Sequence, residues 1–394
     1  KDLNFIKSRR LDVILIIIKF KEININLINK NLKPDYDLIK LQETLFLTLI
    51  YYDIIEALYY YFNNYPINKK EFNEAIKICI RNDNLRSFNF LLNNDYNLED
   101  YFKINNEGLL NQIIKQNGTK ILNYLFKNNP NILCNINKYL QIVSKSGNLE
   151  IAKCLIENGA DIHSENEYSL ILACSNGHLE MVKFLVENGA NICDRNNKAL
   201  IFSSEYGHLE IVKLLVENSA FVKVKVSVAL IKASRNGHFE VVKFLIEKGG
   251  NVQDGYDSSL MLACESGHLE VVKLLIENGA NIHARDDEAV ILASGNGHLE
   301  VVKFLIKHGG KINSKNCEVL IKASENGHYE MVKFLIIRYV KVRYIVGYNE
   351  QNQFSINILH YKSILNKCVE KAFYNKHKKI CELLVENGAN FRIY

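Results

Sequence analysis

Residues 177–192 read GHLEMVKFLVENGANI, and close copies of this segment follow at a constant interval. Its leading Gly-His pair recurs every 30 residues, at Gly177-His178, Gly207-His208, Gly237-His238, Gly267-His268, Gly297-His298 and Gly327-His328. Gly147-Asn148 extends the series one step toward the N-terminus. Self-similarity at a fixed period indicates a repeat architecture in which one small unit is stacked many times.

Each unit reads as two short helices. Leu170–Cys174 is a brief apolar first helix, and Gly177 ends it at the left-handed position that often follows a helix. The second helix is predicted over Leu179–Glu187. Its apolar residues recur at helical spacing and form one buried face, namely Met181, Val182, Leu185 and Val186.

Three further positions recur through the array. A small residue allows neighbouring helices to approach, at Ala173, Ser203, Ala233, Ala263, Ala293 and Ala323. A core leucine recurs in each second helix, as at Leu185 and Leu215. Glu and Lys form i,i+3 pairs, as at Glu180 and Lys183, worth about 0.2–0.5 kcal/mol each. A unit this short buries its apolar face only against stacked neighbours, so we expect a solenoid.

The pattern GHLEVVKxLIENGANI resembles the second half of an ankyrin repeat, and the small pair Ala173-Cys174 matches the two alanines of that family's first helix. One departure stands out, because the family period is about 33 residues and its first helix opens with Thr-Pro-Leu-His. Here the period is 30 and the opening reads Tyr168-Ser169-Leu170-Ile171. We therefore expect a clipped loop in place of the regular β-hairpin that links ankyrin repeats.

The resemblance implies an all-α fold, a curved and elongated helix-turn-helix solenoid of about twelve repeats. We divide the chain into degenerate repeats at 1–138, regular repeats at 139–336, an insertion at 337–362 and a last repeat at 363–394. The insertion lacks the NGAN turn, and we interpret it as a loop with a short strand pair. The segment Val222–Val228, VKVKVSV, predicts a strand-like connection.

Composition narrows the possible partners and compartments. The chain has 394 residues with 49 basic and 44 acidic side chains, and the two signs are interspersed. A nucleic-acid binder concentrates a basic face, so we predict no nucleic-acid partner. No signal peptide is evident, and the long apolar run Leu45–Phe62 carries Asp53 and Glu56, so we predict no membrane partner. We expect a monomer in the cytoplasm, with the nucleus as the alternative, and reduced cysteines.

The sequence offers no pattern typical of catalysis. Equivalent histidines lie one repeat apart, about 8–10 Å, whereas two ligands of one zinc ion must each lie about 2 Å from it. We interpret these histidines as turn residues with local hydrogen bonds, and we predict no metal site and no cofactor. Cys174 and Cys264 are interpreted as core residues. No phosphate-binding, nucleophile or zinc-protease motif occurs, so we predict that the protein is not an enzyme.

Two places in each unit vary while the rest repeats, namely the connection before the first helix and the end of that helix. Stacking aligns both along one side, and the resemblance implies that this concave side holds partner proteins. The candidate partner-binding residues are Glu165, Glu167, Tyr168, Asn176, Arg195, Asn197, Tyr206, Arg235, Tyr256, Asp257, Arg285, Asp287, Lys315 and Glu325. Tyr168, Tyr206 and Tyr256 are the strongest, because tyrosine is enriched at interface hot spots.

These observations favour a protein–protein interaction scaffold. The alternative is an adaptor that couples a target held by the array to cellular machinery, such as a ubiquitin ligase, through residues 1–70 or the insertion. The abundance of Asn, Ile, Lys and Tyr is typical of an A/T-rich genome. In this respect the chain is similar to the ankyrin proteins of large DNA viruses of protists, which implies a host or cellular protein as the partner.

Overall fold

The computed structural model describes residues 45–64, 67–94, 110–128, 135–193, 197–218, 226–346 and 353–390. Every regular element in these ranges is a helix and none is a strand. Pairs of short helices alternate along the chain, which confirms the predicted helix-turn-helix solenoid. The chain divides into two compact units, residues 1–164 and 165–394.

The first unit shows that the degenerate repeats are real helix pairs. Its helices are Ile55–Asn64, Lys69–Asn82, Leu85–Asn93, Thr119–Asn128, Ile136–Ser146 and Leu149–Glu157, and residues 45–51 and 110–115 are helical as well. The apolar run Leu45–Phe62 is divided by Asp53, whose φ of 56° is left-handed. Phe46, Phe88 and Leu91 are fully buried and form part of the core of this unit.

The second unit continues the alternation with shorter and more regular helices. They are Ser164–Ser175, Leu179–Glu187, Lys198–Glu205, Leu209–Glu217, Val226–Arg235, Phe239–Glu247, Asp254–Ser266, Leu269–Glu277, Ala284–Gly295, Leu299–Lys307, Ser314–Glu325, Tyr329–Val346, Gln353–Tyr374 and Lys378–Glu386. Val226–Val228 belongs to a helix, so our prediction of a strand-like connection is wrong there, and residues 222–225 lie outside the described residues.

The repeat positions take the predicted roles. The second helix spans Leu179–Glu187 as expected, and Leu185 is fully buried. Ala173 is also fully buried where neighbouring helices approach. Gly177 has a φ of 79°, the left-handed conformation that ends the first helix.

A single left-handed turn replaces the hairpin that links repeats in the longer-period pattern. Three successive residues have positive φ in Glu165–Glu167, Gly255–Asp257, Arg285–Asp287 and Lys315–Cys317. Left-handed backbone costs about 1–2 kcal/mol for each residue that carries a Cβ atom. The turn therefore depends on contacts with the next repeat, and the predicted clipped loop is found in this form.

The insertion is helical, so our interpretation as a loop with a strand pair is wrong for the described residues. Tyr329–Val346 continues well past the usual end of a second helix, and Gln353–Tyr374 begins well before the usual start of a first helix. Residues 347–352 lie outside the described residues. Helical extension satisfies the backbone hydrogen bonds of the added chain without a sheet partner. None of the described helices combines the length and apolarity needed to cross a membrane.

Candidate partner-binding surface

The first helices of the second unit share one face that packing leaves open. Four positions in each repeat lie on it, at the spacing i, i+4, i+7 and i+8 that places side chains on one side of a helix. We call this set the first-helix stripe. It comprises Tyr168, Leu172, Ser175 and Asn176, and their equivalents 30, 60, 90, 120 and 150 residues further on. All of these are exposed or half-buried except Gly295, which is buried.

Nine of the fourteen predicted residues are accessible at the surface. Five belong to the first-helix stripe, namely Tyr168, Asn176, Tyr206, Arg235 and Glu325, and all but the half-buried Glu325 are exposed. Four others are exposed in the left-handed turns, namely Glu165, Tyr256, Arg285 and Lys315. Arg195 lies outside the described residues. Tyr206 and Tyr256 are the most open of the predicted tyrosines, with 55% and 75% of their surface exposed.

The other four predicted residues are buried, and for them our prediction of partner contact is wrong. Glu167, Asn197, Asp257 and Asp287 are each no more than 6% exposed. They occupy the last position of the left-handed turn, where the side chain packs inward. Their variability in the sequence therefore reflects alternative ways to satisfy a buried position.

The buried position has a recurring structural role. The Asp257 carboxylate accepts a hydrogen bond from the N–H of Asn281 at 2.7 Å. The Asp287 carboxylate likewise accepts one from the N–H of Lys311 at 3.0 Å. In each case the donor lies 24 residues downstream, at the end of the same repeat's second helix and the start of the next connection. The side chain thus ties the left-handed turn to that connection.

Two carboxylates at this position in adjacent repeats have pKa values shifted in opposite directions, although burial acts on both in the same direction. Burial raises the pKa of Asp257, and its bond from Asn281 offsets this only in part. Burial alone would also raise the pKa of Asp287, but Ser314, the N–H of Lys311 and His283 donate to it and lower the pKa below its usual value. The Ser314 hydroxyl lies 2.7 Å away and the His283 ring nitrogen 2.8 Å away. Asp287 is therefore stabilised as a charged group.

The repeated histidines join neighbouring repeats, so our prediction of purely local hydrogen bonds is wrong. Nε2–H of His238 donates to the carbonyl oxygen of Glu205 at 2.9 Å, 33 residues upstream. Four more histidines bond at the same separation, at His208, His268, His298 and His328. His377 reaches the Glu325 carbonyl 52 residues upstream, so the insertion adds 19 residues to one repeat and keeps the bond.

Charged side chains connect adjacent repeats across the exposed face. Lys232 Nζ lies 3.1 Å from Glu205 of the preceding repeat, and Lys371 Nζ lies 3.3 Å from Glu325. Glu325 also pairs with Lys322 of its own helix at 2.9 Å. The Arg285 guanidinium lies 5.4 Å from the centre of the exposed Tyr256 ring. Solvent-exposed pairs contribute only about 0–1 kcal/mol each, so these groups remain available to a partner.

The sequence reasoning missed an apolar row within the first-helix stripe. Leu172, Phe202, Leu262 and Leu292 are half-buried at its second position. Lysine takes the same position in the two other repeats, at Lys232 and Lys322. The sequence did contain a signal for this row. One position alternates between apolar residues and lysine while the positions around it are constant, which is typical of a side chain that faces solvent.

Among the described cysteines, all except the exposed Cys193 are buried. Cys174 and Cys264 are fully buried, as predicted, and burial raises the pKa of both. Burial also raises the pKa of Cys154, to about 12. Cys317 lies in a left-handed turn but is buried. A thiol with a raised pKa is a poor nucleophile at neutral pH, because the thiolate is the reactive form.

Comparison with known proteins agrees with the geometry. Residues 140–226, 227–286 and 284–346 match the family model described as ankyrin repeats in three copies. Among solved structures, the chain is similar to the ankyrin repeat domain of human ASB11, with 24% identity and a TM-score of 0.45. That match covers 50% of this chain and 96% of the other. A search of curated proteins finds no match.

Proposed function

Since the chain belongs to the ankyrin repeat family, whose repeats are generally protein–protein interaction modules, we propose that it binds a partner protein through the first-helix stripe and the adjoining left-handed turns. We expect this side to be the concave side of the solenoid. The partner is a host or cellular protein met in the cytoplasm, and the array acts as a monomer.

The contrast between two faces of the second unit carries this proposal. The second helices present the same Glu–Lys pair again and again, as at Glu180–Lys183 and Glu210–Lys213, each 2.7 Å apart. The first-helix stripe instead presents a different set of side chains in every repeat, including the exposed Tyr168 and Tyr206. Exposed aromatic side chains are common at binding hot spots, and variation along a constant frame suits recognition of one particular surface.

We also propose that the protein acts by binding and not by catalysis. Repeats of this family generally serve as scaffolds. The buried thiols of this chain, such as Cys79 and Cys174, have raised pKa values and are therefore poor nucleophiles. Two titratable groups of the stripe, Lys232 and Glu205, form an ion pair across repeats at 3.1 Å.

Affinity capture from the relevant host cell tests the proposal. We expect a captured protein to bind the wild-type chain and to lose about tenfold or more in affinity for a variant with Tyr168→Ala, Tyr206→Ala and Tyr256→Ala, because each hot-spot aromatic contributes about 1–2 kcal/mol or more. A matched variant on the second-helix face, Lys183→Ala with Lys213→Ala, should bind normally. Equal binding by all three proteins would contradict the proposed surface.

The adaptor role remains a second proposal, and the insertion is the observation that favours it. Its two extended helices interrupt the array while the His377 bond to the preceding repeat is kept. Replacing residues 338–365 with the nine-residue segment 308–316 would restore the 30-residue period. An adaptor should then lose one class of captured partner and keep the other, whereas a simple scaffold should keep every partner.

A further inference from the structure

The charges of the first-helix stripe are sorted along the five first helices between Lys198 and Glu325. The helices Lys198–Glu205 and Val226–Arg235 contribute three basic residues and one acidic residue to it. These are Lys198, Lys232, Arg235 and Glu205. The next three first helices contribute four acidic residues and one basic residue. These are Glu265, Glu288, Glu318, Glu325 and Lys322.

Internal ion pairs neutralise only part of this pattern. Lys232 pairs with Glu205, and Lys315 of a neighbouring turn pairs with Glu288. Glu325 pairs both with Lys322 of its own helix and with Lys371 of the next first helix. Within the described residues, Lys198 and Arg235 remain without an ion pair at one end of the stripe. Glu265 and Glu318 remain without one at the other end. The stripe therefore has a basic part and an acidic part that the protein itself does not compensate.

Apolar side chains accompany both parts. Phe202 and the exposed Tyr206 adjoin the basic residues, and Leu262 and Leu292 lie among the acidic ones. Neighbouring first helices are expected about 8–10 Å apart, which an extended chain covers in about three residues at about 3.3 Å each. Five helices thus span about 40 Å, the length of roughly twelve extended residues.

We propose that the first-helix stripe binds an extended peptide segment whose two halves carry opposite charge. Acidic residues flank an apolar or aromatic anchor in the half that lies over Lys198–Arg235, and basic residues flank apolar anchors in the half that lies over Glu265–Glu325. This inference rests on the proposed function and specifies the chemistry of the partner. The acidic part repels phosphate groups and disfavours a nucleic acid along the whole stripe.

A random peptide library of about 16 residues, displayed and selected on the full chain, tests this charge order. Wild-type protein should enrich peptides with one acidic and one basic block. The variant K198E/R235E should bind these peptides about tenfold or more weakly. The variant K198E/R235E/E265K/E318K keeps the net charge and inverts the pattern, so it should select peptides with the opposite order. The control K243E/K333E makes the same change in net charge as K198E/R235E, but on the second-helix face. It should bind like wild type.

Each outcome separates the inference from the proposed function. Circular dichroism and thermal unfolding first establish that every variant is folded. Selected peptides that lose binding on Tyr206→Ala but show no charge order would overturn the inference and leave the proposed function standing. Selected peptides that no substitution in the first-helix stripe weakens would overturn both. Retention of mixed-sequence DNA in preference to every selected peptide would also overturn the inference.

Discussion

The repeats of the first unit and those of the second are joined to their neighbours by different hydrogen bonds at the same place. In two repeats of the first unit, an aspartate takes the left-handed position after the first helix, at Asp53 and Asp83. Asp83 accepts from the N–H groups of Lys120 and Ile121 at 3.0 and 3.1 Å, which begin the next repeat's second helix. In the regular repeats of the second unit glycine takes that position, and a histidine of the next repeat donates back to the preceding first helix, as His328 does to Gly295 at 2.9 Å.

An aspartate at the left-handed position and a histidine at the start of the next repeat's second helix exclude each other sterically. A Cβ atom on Gly297 would lie 2.6 Å from Nδ1 of His328, closer than side chains approach. An aspartate can therefore occupy the left-handed position only where the next repeat has no histidine ring. Asn84 stands at the histidine position beside Asp53, and its side-chain amide donates to the Ile50 carbonyl at 2.9 Å. Gly297 with His328, and Asp53 with Asn84, are matched pairs across a repeat boundary, while Asp83 is followed by Gly118 at the histidine position.

The largest loss of stability is expected when one member of a matched pair is exchanged. We expect Gly297→Asp to lower the free energy of unfolding by about 2–4 kcal/mol, because the side chain collides with His328. Adding His328→Asn should recover about half of this loss, since the introduced carboxylate could then cap the helix that begins at Tyr329. Urea unfolding of both variants measures the coupling.

Gly279→Asp is the matched control for that experiment. Gly279 has a φ of 91°, and a Cβ atom added to it would have no other atom within 4 Å, so the substitution reports the backbone cost alone. A loss at Gly297 no larger than at Gly279, or no recovery in the double variant, would contradict the steric argument.

The buried carboxylate of the left-handed turn should have the next largest effect, and it distinguishes two neighbouring repeats. We expect Asp287→Asn to cost about 1–3 kcal/mol at pH 7, because three donors lose a charged acceptor. Because the pKa of Asp287 is lowered on folding, this stabilisation is present above 3.8, the pKa of aspartate in the unfolded chain. It is lost as the pH falls through the pKa of Asp287 in the folded protein. Thermal unfolding of wild type and variant between pH 3 and pH 7 should show the two converging in acid.

Asp257→Asn is the control with the opposite sign. The raised pKa of Asp257 favours the folded state below pH 3.8, and this contribution is lost as the pH rises through the folded value. The variant should therefore be neutral or slightly stabilised at pH 7. Equal losses in the two variants would refute the assignment of opposite roles.

Removal of the Asp83 cap should destabilise the first unit by a smaller amount. We expect Asp83→Ala to destabilise by about 0.5–2 kcal/mol, the usual range for a lost helix cap, with an added penalty because alanine fits the left-handed φ of 51° poorly. Asp83→Asn should cost less, since asparagine keeps an acceptor and tolerates that backbone conformation. Hydrogen exchange of the Lys120 and Ile121 amides gives a local readout, and unchanged protection in Asp83→Ala would count against the cap.

The smallest expected effect concerns protonation of the histidines. Burial lowers the pKa of His268, the bond to the Arg235 carbonyl opposes this, and the flanking His238 and His298 lower it further. The stability that the neutral His268 ring contributes is fully present above 6.5, the pKa of histidine in the unfolded chain. It declines as the pH falls below that pKa. We expect less than about 1 kcal/mol from this site, visible as a weaker pH dependence of thermal unfolding in His268→Asn. An identical pH profile for the variant would contradict it.

Much of the fold was predictable because stacked repeats are nearly one-dimensional. The second helix Leu179–Glu187, its buried leucine and the left-handed Gly177 all follow from local periodicity and propensity. The candidate surface was predictable only in part. Exposed and buried positions both vary in the turn, so Tyr256 and its neighbour Asp257 look alike in sequence although one faces solvent and the other packs inward.

The sequence by itself determined the repeat, its period, the helix pairs and the family, because each depends on residues close together in the chain. Only the tertiary structure decided which turn residues are buried, how Gly297 is matched to His328, and how the insertion adds 19 residues without losing the His377 bond. These features depend on atoms about one repeat apart. A left-handed turn of ordinary residues is locally unfavourable, so its stability comes from neighbours that local sequence does not reveal.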